Sequence, residues 1–162
     1  MRRFVARKPT IAVLGGAVCS HEVGQLAYEV GRLIAQRGGV LICGGRSGVM
    51  EEACRGAAEE GGVTVGILPG DDPADANPYV QIALATGLGD ARNVVIVKSA
   101  HAAIAIDGSY GTLSEIAFCL KLGVPVVGLQ TWSIDPQVHQ VRTPAEAVEK
   151  AFSLAVSRQE RR

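Results

Sequence analysis

Apolar residues in this chain follow two alternating rhythms. Short unbroken runs, "TIAVLGG" (10–16), "GVLICGG" (39–45) and "VTVGILPG" (63–70), predict strands buried on both faces. Between them, apolar positions fall three and four apart. Val23, Leu26, Ala27, Val30, Leu33 and Ile34 mark a helix over 21–38, stopped by Gly38 and Gly39, and a second helix spans 48–61. An Asp- and Pro-rich loop fills 71–80, and a β-prone stretch covers 80–86. Segment 90–100 is open between strand and helix: its β-branched run favours the first, its length and its place before another strand the second. Strands over 102–106 and 125–130 flank a helix over 111–122. A closing helix runs over 143–159, with Thr143 as N-cap, Pro144 at the first helical position and Glu146 at the third.

Strand–helix alternation with continuously apolar strands implies a parallel sheet covered on both faces. The expected fold is therefore α/β, one doubly wound parallel sheet with helices on both faces. A single domain is expected over 1–162, with 1–8 and 158–162 as frayed ends. At 162 residues the chain is long enough to bury a core without metal or disulfide staples. Abundant glycine and only 4% aromatic residues suit helices packed close on a sheet, with backbone exposed in the loops.

Charge narrows the partners. Lys+Arg and Asp+Glu balance at 16 each, so no global field draws the chain to nucleic acid or a membrane surface, and neither is expected as a partner. Cys19, Cys43, Cys54 and Cys119 form no CxxC pair and read as small core or interface residues in a reducing compartment. His21, His101 and His139 lack metal-ligand spacing, so no metal site is expected. No segment approaches the ~18 uninterrupted apolar residues of a membrane span, and a cytoplasmic location is expected.

Candidate chemistry gathers at three strand exits: "GGAVCSHE" (15–22), "GGRSGVME" (44–51) and "DGSYGTLSE" (107–115). Each combines glycines, a hydroxyl and a helix start whose free N–H groups and dipole favour an anion. The candidate phosphate- or nucleotide-binding residues are Gly15, Gly16 and Ser20; Gly44, Gly45, Arg46, Ser47 and Gly48; and Gly108, Ser109, Tyr110, Gly111 and Thr112. Two readings stay open. Each exit is only a tight turn, or the three, gathered at one rim of a parallel sheet, cradle a phosphate near a switch in strand order. Neither GxxxxGK[ST] nor GxGxxG occurs, so a nucleoside monophosphate or similar ester fits better than a dinucleotide. The Asn77-Pro78-Tyr79 loop is either a lid over a sugar or base, or an ordered turn. Trp132 carries no functional signal.

In the helix over 111–122, Leu113, Ile116, Ala117 and Leu120 are expected to face the sheet. Glu115 then falls on the opposite stripe with Phe118, Cys119 and Leu122. A second apolar stripe predicts a partner copy, with a two-fold dimer as the simplest homo-oligomer. Glu115 would sit at the edge of that interface, where the helix dipole favours its ionised form.

Taken together, "GGRSGVMEEACRGA", "GILPG", "NPYVQIALATGLGDARNVVIV" and "DGSYGTLSEIAFCLKLGVPVVGL" resemble the molybdenum cofactor carrier proteins and their bacterial relatives. These belong to a Rossmann-like group that also holds the Lonely Guy cytokinin-activating phosphoribohydrolases. The resemblance extends from the first strand through 125–130. In the wider group the third turn reads PGGxGTxxE; Gly108, Gly111, Thr112 and Glu115 match, while Asp107 replaces the proline and Ser109 the second glycine. The phosphoribohydrolases' Arg-Lys pair appears as Arg92-Asn93.

The resemblance implies a binder of a phosphorylated nucleotide-like small molecule, with molybdenum cofactor or a nucleotide as the bound ligand and no cofactor required. It also implies an alternative: a nucleoside 5′-monophosphate phosphoribohydrolase with Arg92 and Glu115 as catalytic residues. There Arg92 would hold the phosphate or leaving base, and an ionised Glu115 would stabilise the charge that develops as the N-glycosidic bond breaks. The remaining reading makes the two a structural ion pair, or Glu115 a helix cap. The label "lysine decarboxylase", which the group has carried, is rejected. A pyridoxal-phosphate enzyme needs a Schiff-base lysine in its site, and none of Lys8, Lys98, Lys121 and Lys150 lies in a glycine turn.

Overall fold

The computed structural model describes residues 5–160. Along the chain come β1 (Thr10–Gly15), α1 (His21–Gln36), β2 (Val40–Cys43), α2 (Val49–Glu59), β3 (Val63–Leu68) and β4 (Ile82–Ala85). There follow α3 (Arg92–Ser99), β5 (Ala102–Ile106), α4 (Tyr110–Leu122), β6 (Val126–Leu129), β7 (Val138–Val141) and α5 (Pro144–Glu160). The strands form one sheet in the order β4-β3-β2-β1-β5-β6-β7, every pair parallel.

The continuous apolar strands explain the layering. In β1, Ile11 and Val13 join the core under α1, α2 and α5, whereas Ala12 and Leu14 join the core under α3 and α4. β5 does the same with unequal sizes: Ile104 and Ile106 face the first layer, while Ala103 and Ala105 face the second. The expected doubly wound sheet with helices on both faces is what forms.

Segment 90–100 resolves as a helix. A parallel crossover from β4 to β5 needs one, and Asn93, Ile96 and Val97 fall at helical spacing to bury against the sheet. β7 went unread in the sequence, because His139 and Gln140 interrupt its four residues and only Val138 is buried, as suits an edge strand. Thr143 caps the last helix as expected, its Oγ1 accepting the Glu146 N–H at 3.2 Å, while Glu146 accepts from the Arg142 N–H at 3.0 Å.

Of the ends expected to fray, residues 1–4 and 161–162 lie outside the described residues. Residues 158–160 complete α5, where Arg158 donates to the Ala100 carbonyl at 3.2 Å. Among the described residues no helix is long and apolar enough to cross a membrane.

The expected orientation of α4 is corrected. Its buried residues are Thr112, Glu115, Ile116 and Cys119, so Glu115 points inward; Ala117 is exposed and Leu113 and Leu120 only half-buried. A helix apolar around most of its circumference carries no phase in its sequence.

Candidate functional site

From β1 the chain winds outward to β4, then returns to β5 on the other side of β1. Such a reversal opens a crevice at the carboxyl ends of β1 and β5. Gly15 pairs with Ile106 at the ends of these strands, so the first and third turns leave the sheet side by side, with the second beside the first.

The first two turns lock onto each other. The Val49 N–H donates to the Gly16 carbonyl at 3.0 Å, and Ser47 Oγ to the Ala17 carbonyl at 2.8 Å. Gly48 has φ +66°, and a Cβ there would lie 2.3 Å from the Gly16 oxygen. Only glycine permits both the conformation and the approach. Ser20 is spent on its own helix, its Oγ accepting the Val23 N–H at 3.2 Å. The Asn77 loop is an ordered turn that braces the second exit: the Asn77 N–H donates to Gly45 O and its Nδ2 to Arg46 O, both at 2.9 Å.

The third turn is built differently. Asp107 and Gly108 have φ of +47° and +102°, and Thr131 Oγ1 donates to the Asp107 carbonyl at 2.6 Å. A Cβ on Gly108 would lie 2.2 Å from Thr112 Oγ1, so glycine leaves that hydroxyl its place. Ser109 is the N-cap of α4 but makes no side-chain cap. Gly111 opens the helix with its carbonyl accepting from Ser114 Oγ at 2.6 Å, and Tyr110 stands 80% exposed.

Arg92, the first residue of α3, joins the second turn to this one. Its Nη2 reaches the Gly44 carbonyl at 3.5 Å and its Nη1 donates to Asn93 Oδ1, while Asn93 Nδ2 meets Ser114 Oγ of α4 at 3.3 Å. Gly44 is bare where Arg92 passes: a Cβ would come within 2.6 Å of Nη2. Two polar atoms in this junction are buried and meet no partner, Arg92 Nε and Thr112 Oγ1. Native proteins seldom leave such groups unmet, since each costs about 1–3 kcal/mol.

Glu115 lies in the same junction, 7% exposed. Burial pushes its carboxyl up from 4.5 to about 8, against the pull of Arg92. The expectation of an ionised carboxylate is corrected: desolvation outweighs the pull of Arg92 and favours the protonated form. Burial also lowers the Arg92 guanidinium, with Glu115, Asp90 and Cys43 favouring its charge and Arg46 opposing it. Arg46 is exposed in the second turn, and its charge is the weakest of these influences. No ion pair joins Arg92 to Glu115 among the described residues.

The structure thus sets Arg92 against Gly44 and within electrostatic reach of Glu115, and places Thr112 one turn before Glu115 on the buried face of α4, against Gly108. It does not free Ser20 and Ser47 to face a ligand. Of the Asn77 loop's two readings the ordered turn is the one that forms; Asn93 was named only as standing in place of a lysine, and the support from Ser114 was missed. The polar Arg92-Asn93 pair ahead of the apolar "VVIV" was the signal available for Asn93. Among the described residues no three His, Cys, Asp or Glu side chains gather as a metal site.

Comparison with known proteins places this architecture. The structure of the molybdenum cofactor binding protein from the phototrophic bacterium Rippkaea orientalis is similar, with a TM-score of 0.88 and 38% identity over 93% of this chain and 99% of that one. The molybdenum cofactor carrier protein from Chlamydomonas reinhardtii gives a TM-score of 0.84 and 36% identity over the same shares. An uncharacterised protein of Archaeoglobus fulgidus is 44% identical over 146 residues, 90% of this chain and 96% of its own length. The resemblance expected from the glycine turns is met, and the SLOG cluster4 family profile matches residues 8–158: the chain belongs to the SLOG cluster4 family.

Proposed function

We infer that this protein binds a phosphate-bearing small molecule at the carboxyl rim of its sheet, and that the ligand is of the molybdenum cofactor class. One observation carries the reading: Arg92 Nε at the start of α3 and Thr112 Oγ1 at the start of α4 are buried donors without partners. An anion seated between the two helix starts would accept from both. The helix start at 109–112 adds backbone N–H groups. Similarity to carrier proteins supports a binding role in which the phosphorylated pterin is cargo. Thermal denaturation tests it. Isolated molybdenum cofactor, GMP and inorganic phosphate should each raise Tm in the order of their affinities, about 2.7 kcal/mol of stability at a hundredfold excess over Kd. No shift with any of them overturns the reading.

A second reading is a phosphoribohydrolase, favoured by Arg92 and Glu115 sharing one junction. With its carboxyl near 8, Glu115 would act as a proton donor to the leaving base. Release of free base from AMP, abolished in Glu115→Gln, would establish it; no release by the wild type discards it.

Self-association falls on the α3–α4 layer. There the half-buried Leu113 and Leu120 join Ile82 and Leu84 of β4, 45% and 48% exposed, on one side of the sheet. Light scattering should give a multiple of the 16.9 kDa chain mass; a monomer contradicts it.

A further inference from the structure

We propose that Tyr110 and Trp132 form a stacking platform for a planar heteroaromatic ring, so that the site selects ring-bearing phosphates over plain sugar phosphates. The inference rests on the anion-binding reading of the rim and adds a ring subsite to it.

Two loops at the carboxyl ends of neighbouring strands deliver these rings to one place. Their centroids are 6.1 Å apart with 29° between the planes. Trp132 is fixed from both sides. Its Nε1–H donates to the Ser109 carbonyl in the third turn at 3.2 Å, and its own carbonyl accepts from Gln140 Nε2 at 3.1 Å. Thr131 Oγ1 ties the same loop to Asp107.

Among the described residues the non-glycine positions with positive φ are Asp107, at +47°, and Gln130, at +54°. They lie directly after β5 and β6, just ahead of Tyr110 and Trp132. Backbone strain at two adjoining loops persists where the surroundings over-determine it, and clusters at ligand clamps.

Burial does not account for the pair. Stacking on Trp132 leaves Tyr110 80% exposed, so the contact hides little of its ring and one face stays open. That face stands at the first residue of α4, two positions before Thr112 with its unmet hydroxyl. A ligand with phosphate in the junction and a flat ring on its other arm spans the two. Stacking on rigid aromatic side chains costs little side-chain entropy and tolerates any flat heterocycle, which fits a purine as well as a pterin.

The chain has one tryptophan, so its intrinsic fluorescence reports on this subsite. The test compares GMP with ribose 5-phosphate, which carries the phosphate without the ring. Wild-type protein should bind GMP about 10-fold or more tighter than ribose 5-phosphate. GMP, and not the sugar phosphate, should change the Trp132 emission, and in Tyr110→Ala the preference should collapse towards one. Four results overturn the proposal. Equal affinities for the two compounds, or a preference that survives Tyr110→Ala, remove the platform and leave the anion site standing. Loss of self-association in Tyr110→Ala reassigns the rings to contact between copies. If neither compound nor inorganic phosphate binds, the platform and the anion site fall together.

Discussion

The two halves of the ligand rim are built on opposite principles. Where the first turn meets the second, polar groups are spent on each other: Val49 and Ser47 donate to the first turn, Ser20 caps α1 and Asn77 braces the second exit. Where α3 meets α4, Arg92 and Thr112 hold buried donors that nothing accepts, and Glu115 keeps a proton it would lose in water. Both halves are glycine-rich and look alike in the sequence. The first half is closed by its own hydrogen bonds, while the second keeps unmet donors, which on the proposed reading are what a ligand would meet.

Breaking the scaffold half should have the largest effect on folding. Gly48→Ala forces a side chain into positive φ and against Gly16 O. It should cost about 3 kcal/mol or more in denaturant unfolding. Next comes Glu115→Gln in the other half, with the opposite sign. The folded carboxyl titrates near 8 and the unfolded one near 4.5, so its favourable contribution is complete below about 4.5 and lost as pH climbs to 8. Wild-type stability should fall across that window. The variant should flatten the slope and be the more stable of the two proteins at pH 8.

Smaller effects sharpen the contrast. Thr112→Val replaces an unmet buried hydroxyl with a methyl group. It should leave stability unchanged or raise it by about 1 kcal/mol, while weakening phosphate binding. Ser47→Ala removes a satisfied but exposed hydrogen bond and should cost about 0.5–1 kcal/mol of stability, with ligand affinity unaltered. Equal and same-signed changes in these two variants would erase the distinction between the halves.

Most of the fold was legible because parallel strands bury both faces and so read as unbroken apolar runs. β7 escaped because an edge strand needs only Val138 inside. The ambiguity at 90–100 was physical: "VVIV" suits either element, and only the β4-to-β5 crossover decides. The site was legible as a set of glycine turns, since close backbone approach leaves a direct mark on composition. Which hydroxyls remain free was not legible. Ser20, Ser47 and Thr112 look equivalent along the chain, and their fates depend on partners 3, 30 and, for Thr112, no residues away. The rotation of α4, and with it the burial of Glu115, was hidden by a helix apolar on several sides.

The proposed anion site at the α3–α4 junction depends above all on Arg92. Calorimetric titration of inorganic phosphate into the wild type and Arg92→Gln tests it most directly. A single site should appear, its affinity falling about 10- to 100-fold in the variant, with Tm of the unliganded protein unchanged or higher. Equal phosphate affinity in the two proteins would contradict it.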